Sequence, residues 1–255
     1  MRWPVLSGST NRKPLFMPKV SIFIPAYNAE KHLARVIGRI PEASWADIVS
    51  VWIVNDGSRD ATADVMEQLA GQNPKIRLLS LAENSGYGTA VKNGLAAVKK
   101  ESPDYAICLH ADGQYPPEHI PHFTAQAAEK NFDILQGSRM APGTARQGGM
   151  PLYKYLAGRI LTAMENFVYG LSLTDYHSGY LCYSKRALEN LPFENFSSSF
   201  DFDLEVIACA RKKGMKIGEI GIPTQYADEI SYLNPVTYGL RVVGVMGKYV
   251  SGKYS

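Results

Sequence analysis

Cysteine is scarce in this sequence, and its placement excludes two classes of small stabilised fold. The three cysteines in 255 residues are Cys108, Cys182 and Cys209. Each lies among apolar neighbours, and no two of them have the spacing of a disulfide framework or a zinc site. The pattern therefore predicts reduced thiols in the core of a cytoplasmic protein.

Long apolar runs and a strong net charge are also missing. No segment approaches the about 20 apolar residues of a membrane-spanning helix, so we do not expect an integral membrane protein. The 27 basic and 24 acidic residues nearly balance, which argues against a nucleic-acid partner. Residues 1–18 carry three prolines and no apolar run of signal-peptide length, and we expect a loose tail there.

Two common nucleotide-binding loops are absent. The sequence has no G-x-x-x-x-G-K-[ST] loop, which disfavours an ATPase or GTPase. Gly86-x-Gly88 lacks the full spacing of a Rossmann fingerprint and does not follow the first strand, so a dehydrogenase fits poorly. A nucleotidyltransferase should begin with a Gly-rich basic loop, and Pro25–Glu30 is not such a loop.

Segments with strand and helix patterns alternate through the first half of the chain. The predicted strands are Val20–Ile24, Val49–Val54, Ile76–Leu81, Tyr105–Leu109 and Asp133–Gln136, and the predicted helices are about 29–39, 60–71, 88–100 and 117–130. Near-continuous apolar strands are typical of a parallel sheet covered on both faces. The alternation therefore predicts an α/β fold with a doubly wound, mostly parallel sheet.

The second half of the chain has a different rhythm but no linker or internal repeat. The predicted elements are helices at about 152–169, 201–213 and 235–250, and strands Gly179–Ser184 and Lys216–Ile222. The helix at 152–169 is predicted from apolar residues at helical spacing. We expect a single domain over residues 19–230, followed by a C-terminal amphipathic helix or tail over 231–255.

Polar loops follow four of the predicted strands. They are Pro25–Glu30, Asn55–Ser58, Glu83–Gly88 and His110–Gln114. Each could be an ordinary turn or helix start on its own. Because the carboxyl ends of parallel strands meet at one edge of a sheet, the four together predict a single cleft with a shared ligand, and we expect a nucleotide diphosphate.

The loop after the fourth strand carries groups suited to a metal. Asp112 and Gln114 are two residues apart and offer the oxygen ligands that Mg²⁺ or Mn²⁺ prefers. Such ions usually complete their coordination with water and substrate phosphate. A carboxylate such as Asp56 can hold donor groups of a base or ribose.

Taken together, these motifs resemble glycosyltransferase family 2 of GT-A fold, and most closely its dolichyl/polyprenyl-phosphate sugar transferases. The motifs are Ile24–Asn28, Val54–Ser58, Asn84-x-Gly86-x-Gly88, His110–Gln114, Gly137–Arg139, Asp175-x-x-Ser178–Tyr180 and Phe200–Glu205. The likeness covers about residues 19–230. It implies inverting, metal-dependent transfer of a sugar from a UDP- or GDP-sugar to a polyprenyl phosphate.

The resemblance also implies roles for individual residues. Those for the nucleotide donor are Pro25, Tyr27, Asn28, Glu30, Asp56, Gly86, Lys92, His110 and Ala111. Asp112 and Gln114 would hold the metal, together with His110, which replaces the first acid of the family's D-x-D motif. Arg139 would face phosphate, where its guanidinium offers a bidentate fork.

The acceptor leaves alternatives open. The family's Gly-x-Ser-Lys element is replaced by Asp228–Tyr232, which weakens the lipid-phosphate site. A phosphate acceptor needs no general base, whereas a hydroxyl of a glycan or lipid-linked saccharide does. Asp201 matches the base position, or is simply an acid at a helix start. A non-catalytic nucleotide-sugar binding module would not need Asp112 or Asp201.

Two further features bear on a lipid acceptor. Arg146, Lys154 and Arg159 are candidate acceptor-phosphate contacts, or merely solvated cations. In the last helix Val236, Leu240, Val243, Met246, Tyr249 and Val250 recur at helical spacing, near Arg241, Lys248 and Lys253. This helix could lie in a bilayer interface, but packing on the core or a second subunit is favoured. We therefore expect a cytoplasmic protein, with peripheral membrane contact or a homodimer left open.

Overall fold

The computed structural model describes residues 17–141, 152–223 and 235–254, apart from the side chains of Tyr153, Lys154, Pro235 and Val236. Within these ranges seven strands form one sheet in the order β3-β2-β1-β4-β6-β5-β7. The strands are β1 (Val20–Ala26), β2 (Ile48–Asn55), β3 (Ile76–Ser80), β4 (Tyr105–Cys108), β5 (Ile134–Ser138), β6 (Leu181–Ser184) and β7 (Ile217–Gly221). Only β6 is antiparallel to its neighbours β4 and β5, so the predicted mostly parallel α/β sheet is confirmed.

Helices cover both faces of this sheet. In the described ranges they are α1 (Leu33–Gly38), α2 (Thr62–Gln72), α3 (Tyr87–Lys99), α4 (Ile120–Glu129), α5 (Leu152–Tyr169), α6 (Lys185–Asn190), α7 (Phe202–Lys212) and α8 (Pro235–Val250). Successive residues of β1 enter different apolar clusters. Phe23 packs in the cluster that contains residues of α3, α7 and α8, while Ile22 and Ile24 pack with residues of α1, α2 and α4.

Several predicted boundaries were wrong by a few residues. The helix expected from residue 29 begins at Leu33, because Asn28 has a left-handed φ of 50° and the Ala29 N–H donates to the Thr62 hydroxyl. The helix predicted over 117–130 is a 3₁₀ turn (Pro117–His119) followed by α4. Helix α6 was missed, although Ser184 caps it through the Ala187 N–H.

The two amphipathic helices, α5 and α8, do not bury all of their apolar residues in the core. Helix α5 forms at its predicted bounds, but the apolar stripe that predicts it is exposed to solvent. On α8, Val242, Val245 and Met246 are buried, whereas Leu240, Val243 and Val250 are exposed. The expected core packing of α8 therefore holds for one face only. Nowhere in the described ranges does a helix combine the length and apolar character needed to span a membrane.

Some sequence predictions lie outside the described residues. These are the tail up to residue 16, Arg146 and the whole of Asp228–Tyr232. The side chain of Lys154 is also not described, and Arg159 is exposed on α5.

Candidate active site

A cleft of about 580 Å³ opens at the carboxyl ends of β1, β2 and β4. All four predicted polar loops contribute to it, together with the start of α3 and a segment just before α7. It is lined by Pro25, Ala26, Tyr27, Asn28, Ala29, His32, Asp56, Asn84, Gly86, Tyr87, Ala90, His110, Ala111, Asp112, Ser199 and Phe200. The volume is that of a small-molecule site.

The first loop is fixed by hydrogen bonds to the loop after β2. The Asn28 N–H donates to the Ser58 hydroxyl, and the Asn28 side-chain oxygen accepts from the Arg59 N–H, at 3.0 and 2.9 Å. The Glu30 carboxylate accepts from the Ala61 N–H and does not line the cleft. Tyr27 is 40% exposed at the cleft wall. Glu30 thus shapes the loop that presents Tyr27 and Asn28.

Asp56, in the loop after β2, fixes the loop Glu83–Gly88 by accepting two hydrogen bonds from its backbone. It is 4% exposed, and its two carboxylate oxygens accept from the N–H groups of Ser85 and Gly86 at 2.8 and 3.0 Å. Gly57 has a φ of +64°, and a Cβ there would lie 2.4 Å from the Glu83 carbonyl carbon. Since a carboxylate has about four acceptor positions, Asp56 also has capacity for a donor group of a ligand in the cleft.

Two glycines let α3 approach the segment before α7. A Cβ on Gly86 would lie 2.6 Å from the Ser198 carbonyl oxygen, and one on Gly88 would lie 2.4 Å from the Ser197 carbonyl oxygen. The Gly88 N–H donates to the Ser198 carbonyl. Lys92, on the same helix, lies 3.4 Å from the Ser198 hydroxyl and is not among the cleft-lining residues. The Gly86-x-Gly88 spacing therefore has a steric reason.

A polar triad joins the cleft residues Tyr87 and His110 to the buried Asp203. The Tyr87 hydroxyl donates to Asp203 at 2.8 Å and lies 3.2 Å from Nε2 of His110. Burial raises the pKa of Asp203 to about 7, although the bond from Tyr87 opposes this. Burial lowers the pKa of His110, although the charge of Asp112 acts in the opposite direction.

Ring stacking and a close backbone approach also position the triad. The Tyr87 ring stacks on Phe200 with ring centroids 5.6 Å apart. A Cβ on Gly179 would lie 2.5 Å from Nε2 of His110 and 2.7 Å from the Tyr87 hydroxyl. Tyr87, Phe200 and Asp203 were not predicted as site residues, although all three lie in or beside motifs singled out in the sequence.

The predicted metal turn has the geometry of a short polar loop. The Gln114 N–H donates to one carboxylate oxygen of Asp112 at 2.9 Å, and Gly113 between them has a φ of +78°. Asp112 and His110 line the cleft. In the described ranges no three His, Cys, Asp or Glu side chains are grouped as a protein-only metal site. The donors present suit an ion that takes the rest of its ligands from water and phosphate.

Arg139 is held in place at the end of β5. Its Nε donates to Asp175 at 3.1 Å, and Nη2 donates to the His177 carbonyl. Burial alone would raise the pKa of Asp175, but the charge of Arg139 and the hydrogen bonds from Arg139 and the His177 N–H bring it below the ordinary value. Arg139 is thus a fixed cation at the same edge of the sheet.

Asp201 is engaged away from the cleft lining. Its Oδ1 accepts from the Ser197 hydroxyl at 2.8 Å and pairs with Arg241 of α8 at 3.1 Å. Asp203, two residues further, is the acid that contacts the cleft residue Tyr87. The base role of Asp201 stays a prediction.

A mostly parallel sheet with one reversed strand, and a cleft with an acidic turn at its strand ends, are the features expected of the GT-A fold. The chain belongs to glycosyltransferase family 2, because the family model "Glycosyl transferase family 2" matches residues 21–191.

Curated relatives of the chain include two enzymes named for lipid phosphates. The chain is 28% identical over 221 residues to UDP-N-acetylglucosamine–dolichyl-phosphate N-acetylglucosaminyltransferase of Methanococcus voltae, covering 82% of this chain and 86% of the relative. It is 25% identical over 204 residues to polyprenol monophosphomannose synthase of Mycolicibacterium smegmatis, covering 79% and 75%.

Solved structures share the fold at low sequence identity. Glucosyl-3-phosphoglycerate synthase of Mycobacterium tuberculosis, in complex with Mg²⁺ and UDP, has a TM-score of 0.64 and 17% identity, covering 91% of this chain and 79% of that one. The same enzyme with Mn²⁺, UDP and phosphoglyceric acid has a TM-score of 0.62 and 17% identity, covering 92% and 78%.

Proposed function

We propose that this glycosyltransferase moves a sugar, with inversion, from a nucleotide diphosphate to the phosphate of a polyprenyl lipid, and that it needs Mg²⁺ or Mn²⁺. The donor part is supported by the cleft, in which the Asp56-bound loop, the start of α3 and the Asp112 turn meet. The acceptor part is supported by the two lipid-phosphate relatives.

The engagement of Asp201 favours phosphate over hydroxyl. A sugar hydroxyl must lose a proton to a base, whereas a phosphate monoester is already anionic near neutral pH. Asp201 is 5% exposed, its Oδ1 is engaged by Ser197 and Arg241, and it is not among the residues that line the cleft. An acceptor that needs no base therefore fits this site better, and this is the observation that carries the proposal.

The donor is held by residues of the first three loops. Tyr27 and Asn28 present one wall for the base, and Asp56 accepts hydrogen bonds from its donor groups. The N-terminal turn of α3, which begins at Tyr87 next to Gly86, borders the cleft, and the positive end of the helix dipole would favour a diphosphate there.

Asp112 and Gln114, with His110, would hold the divalent metal. The donor set fits, because one carboxylate, one amide and one imidazole leave room for diphosphate oxygens and water. When bound, the ion supplies neutralisation of the charge that develops on the leaving diphosphate.

The reaction is a single displacement. An acceptor phosphate oxygen attacks the anomeric carbon from the side opposite the nucleotide, the new C–O bond forms, and the bond to the diphosphate breaks with its electron pair on the leaving oxygen. Arg139, fixed by Asp175 and the His177 carbonyl, is the proposed contact for acceptor phosphate. A lipid acceptor would place the protein peripherally at the cytoplasmic face of a membrane.

The proposal is tested by incubating the protein with UDP- and GDP-sugars, Mg²⁺ or Mn²⁺, and a short-chain polyprenyl phosphate. We expect a lipid-linked glycosyl phosphate of inverted anomeric configuration, and loss of the product when metal is chelated. Transfer only to a saccharide hydroxyl would favour the alternative with Asp201 as base. Donor binding without transfer to any acceptor would instead identify a binding module.

A further inference from the structure

Helix α5 exposes a stripe of large apolar side chains on its outer side. Leu152, Leu156, Ile160, Met164 and Phe167 recur every three or four residues and therefore share one side of the helix. All five are exposed, Ile160 by 64% and Phe167 by 90%. In ordinary amphipathic helices this face is turned to the core.

The buried side of α5 carries polar groups among apolar ones, since Leu161, Val168 and Tyr169 pack against the core. Glu165 is fully buried, and Thr162 and the hydroxyl-bearing Tyr169 are also buried. Neither Glu165 oxygen forms a hydrogen bond within the described part of the chain, although Oε2 lies 3.3 Å from Nε2 of His177. A helix that exposes five large apolar side chains while burying a carboxyl group is arranged for apolar surroundings on its outer side.

Exposed apolar side chains are concentrated on α5 and its neighbour α8. In the described ranges, the large apolar residues exposed elsewhere are Tyr27 and Phe200, and both line the cleft. The two helices pack together where the rings of Tyr169 and Tyr249 lie 4.9 Å apart. Monomeric proteins rarely expose apolar side chains in such concentration, and where they do a partner usually covers them.

We propose that the exposed apolar face of α5, extended by Leu240, Val243 and Val250 of α8, inserts into the surface of an anionic phospholipid membrane. The charges favour a membrane. The only acid in residues 152–169 is the buried Glu165, α8 contains no acid, and Arg159 is exposed, as is Arg241, which pairs with Asp201. An apolar face with basic and no acidic residues is typical of helices that lie in an anionic lipid interface.

The same charges argue against a second copy as occupant. A twofold dimer brings one patch against its own copy. Through this face it would oppose cationic surfaces that offer each other no acid, which is unfavourable in a buried contact.

The placement of this face also suits the acceptor. Glu165, on the inner side of α5, lies 3.3 Å from Nε2 of His177, and the His177 carbonyl accepts from Arg139. Helix α5, the Glu165 side chain and His177 therefore lie between the proposed lipid surface and the proposed phosphate contact. This step rests on the proposed function, in which Arg139 faces the phosphate of a lipid.

Flotation of the full chain with phospholipid vesicles tests the surface without any acceptor. We expect the wild type to float with vesicles that contain phosphatidylglycerol, and to bind more weakly at high salt or to pure phosphatidylcholine. The double variant Ile160→Ser/Phe167→Ser should bind at least tenfold less, whereas Ile160→Leu/Phe167→Leu should bind like wild type. Arg159→Gln should weaken binding to anionic vesicles more than Lys100→Gln, a matched change at the exposed end of α3.

Three results would overturn the proposal: no flotation of the wild type, equal flotation of the double Ser variant, or a wild-type dimer in light scattering that this variant abolishes without vesicle binding. Circular dichroism and thermal unfolding check that the variants are folded.

Transfer assays separate this proposal from the proposed function. We expect the double Ser variant to glycosylate a short, water-soluble prenyl phosphate at the wild-type rate but to lose activity on a long-chain acceptor in vesicles. Flotation without transfer to either acceptor would support the membrane surface and contradict the proposed polyprenyl phosphate acceptor. Transfer without flotation would support the acceptor and contradict the membrane surface.

Discussion

The Tyr87 hydroxyl donates to Asp203 at 2.8 Å while it lies 3.2 Å from Nε2 of His110. A tyrosine hydroxyl has one proton, so while Asp203 accepts it, Nε2 of His110 must be the donor in the second contact. Tyr87 therefore links the buried Asp203 to His110 in the proposed metal turn, and so helps to fix the orientation of the His110 imidazole. Partners of this kind orient metal ligands and tune their affinity.

Replacing Tyr87 by Phe should lower both the stability of the protein and its affinity for the metal. The ring should still stack on Phe200, but buried Asp203 loses its hydrogen-bond donor, so we expect a loss of about 1–3 kcal/mol in unfolding free energy. We also expect metal affinity in the presence of UDP to fall by about 10- to 100-fold. Urea unfolding and calorimetry measure both. Tyr183→Phe is the control, because its buried hydroxyl has no partner in the described structure.

Asp112→Asn should abolish transfer and leave the fold intact. The amide keeps the size of the side chain and can still accept from the Gln114 N–H, but it removes the one carboxylate of the proposed metal turn. We expect calorimetry with Mn²⁺ and UDP to show no metal binding, with an unchanged unfolding midpoint. Asp64→Asn, on the exposed side of α2, should behave like wild type. Full activity of Asp112→Asn in saturating metal would contradict the metal assignment.

Asp56→Ala should weaken donor binding more than it slows the chemical step. The variant removes two backbone contacts that fix the third loop, and the groups it affects are remote from the reacting bond. We expect the Kd for the nucleotide sugar to rise about tenfold or more, which corresponds to one or two lost hydrogen bonds, with a smaller change in kcat. Equal affinity of the two proteins for every donor would leave Asp56 as a turn residue only.

Gly179→Ala should disturb the cleft, and Gly38→Ala should not. The new Cβ at position 179 would lie 2.5 Å from the His110 ring, whereas a Cβ at position 38 meets nothing within 4 Å. We expect Gly179→Ala to lower kcat/KM for transfer, because the His110 and Tyr87 side chains must shift. Gly38, in helix α1, should give unchanged activity and slightly higher stability, since Ala favours a helix over Gly.

The buried Glu165 predicts a pH dependence of stability. Burial raises its pKa to about 9, from an ordinary 4.5, so the folded protein retains a proton that the unfolded chain has lost at neutral pH. Stability should therefore fall as pH rises from 7 to 9, by at most about 1.4 kcal/mol per pH unit. His177, with a pKa lowered to about 4 by burial, acts only at lower pH. In Glu165→Gln we expect this decline to disappear in denaturant unfolding, and an identical slope would contradict a neutral Glu165.

The sequence predicted most of the strands, helices and strand-end loops, but few of the contacts between residues that are far apart in the chain. Alternating apolar runs located the strands, and the polar residues after four strands do meet in one cleft. The contact between Tyr87 and Asp203 spans 116 positions of the chain, so no local pattern reveals it. Helical spacing located α5, but spacing alone does not say whether an apolar stripe faces a core or the outside.

The reversed strand β6 has a consequence for how such enzymes can diversify. β5 and β6 are neighbours in the sheet, and the Gly137 N–H donates to the Tyr180 carbonyl. The segment that connects them therefore begins and ends on adjacent strands, about 5 Å apart. That intervening stretch includes Arg139, Asp175, His177 and all of α5. A change in its length would leave the strand order of the sheet unaltered, so under the proposed function the acceptor contacts can vary independently of the nucleotide-binding loops.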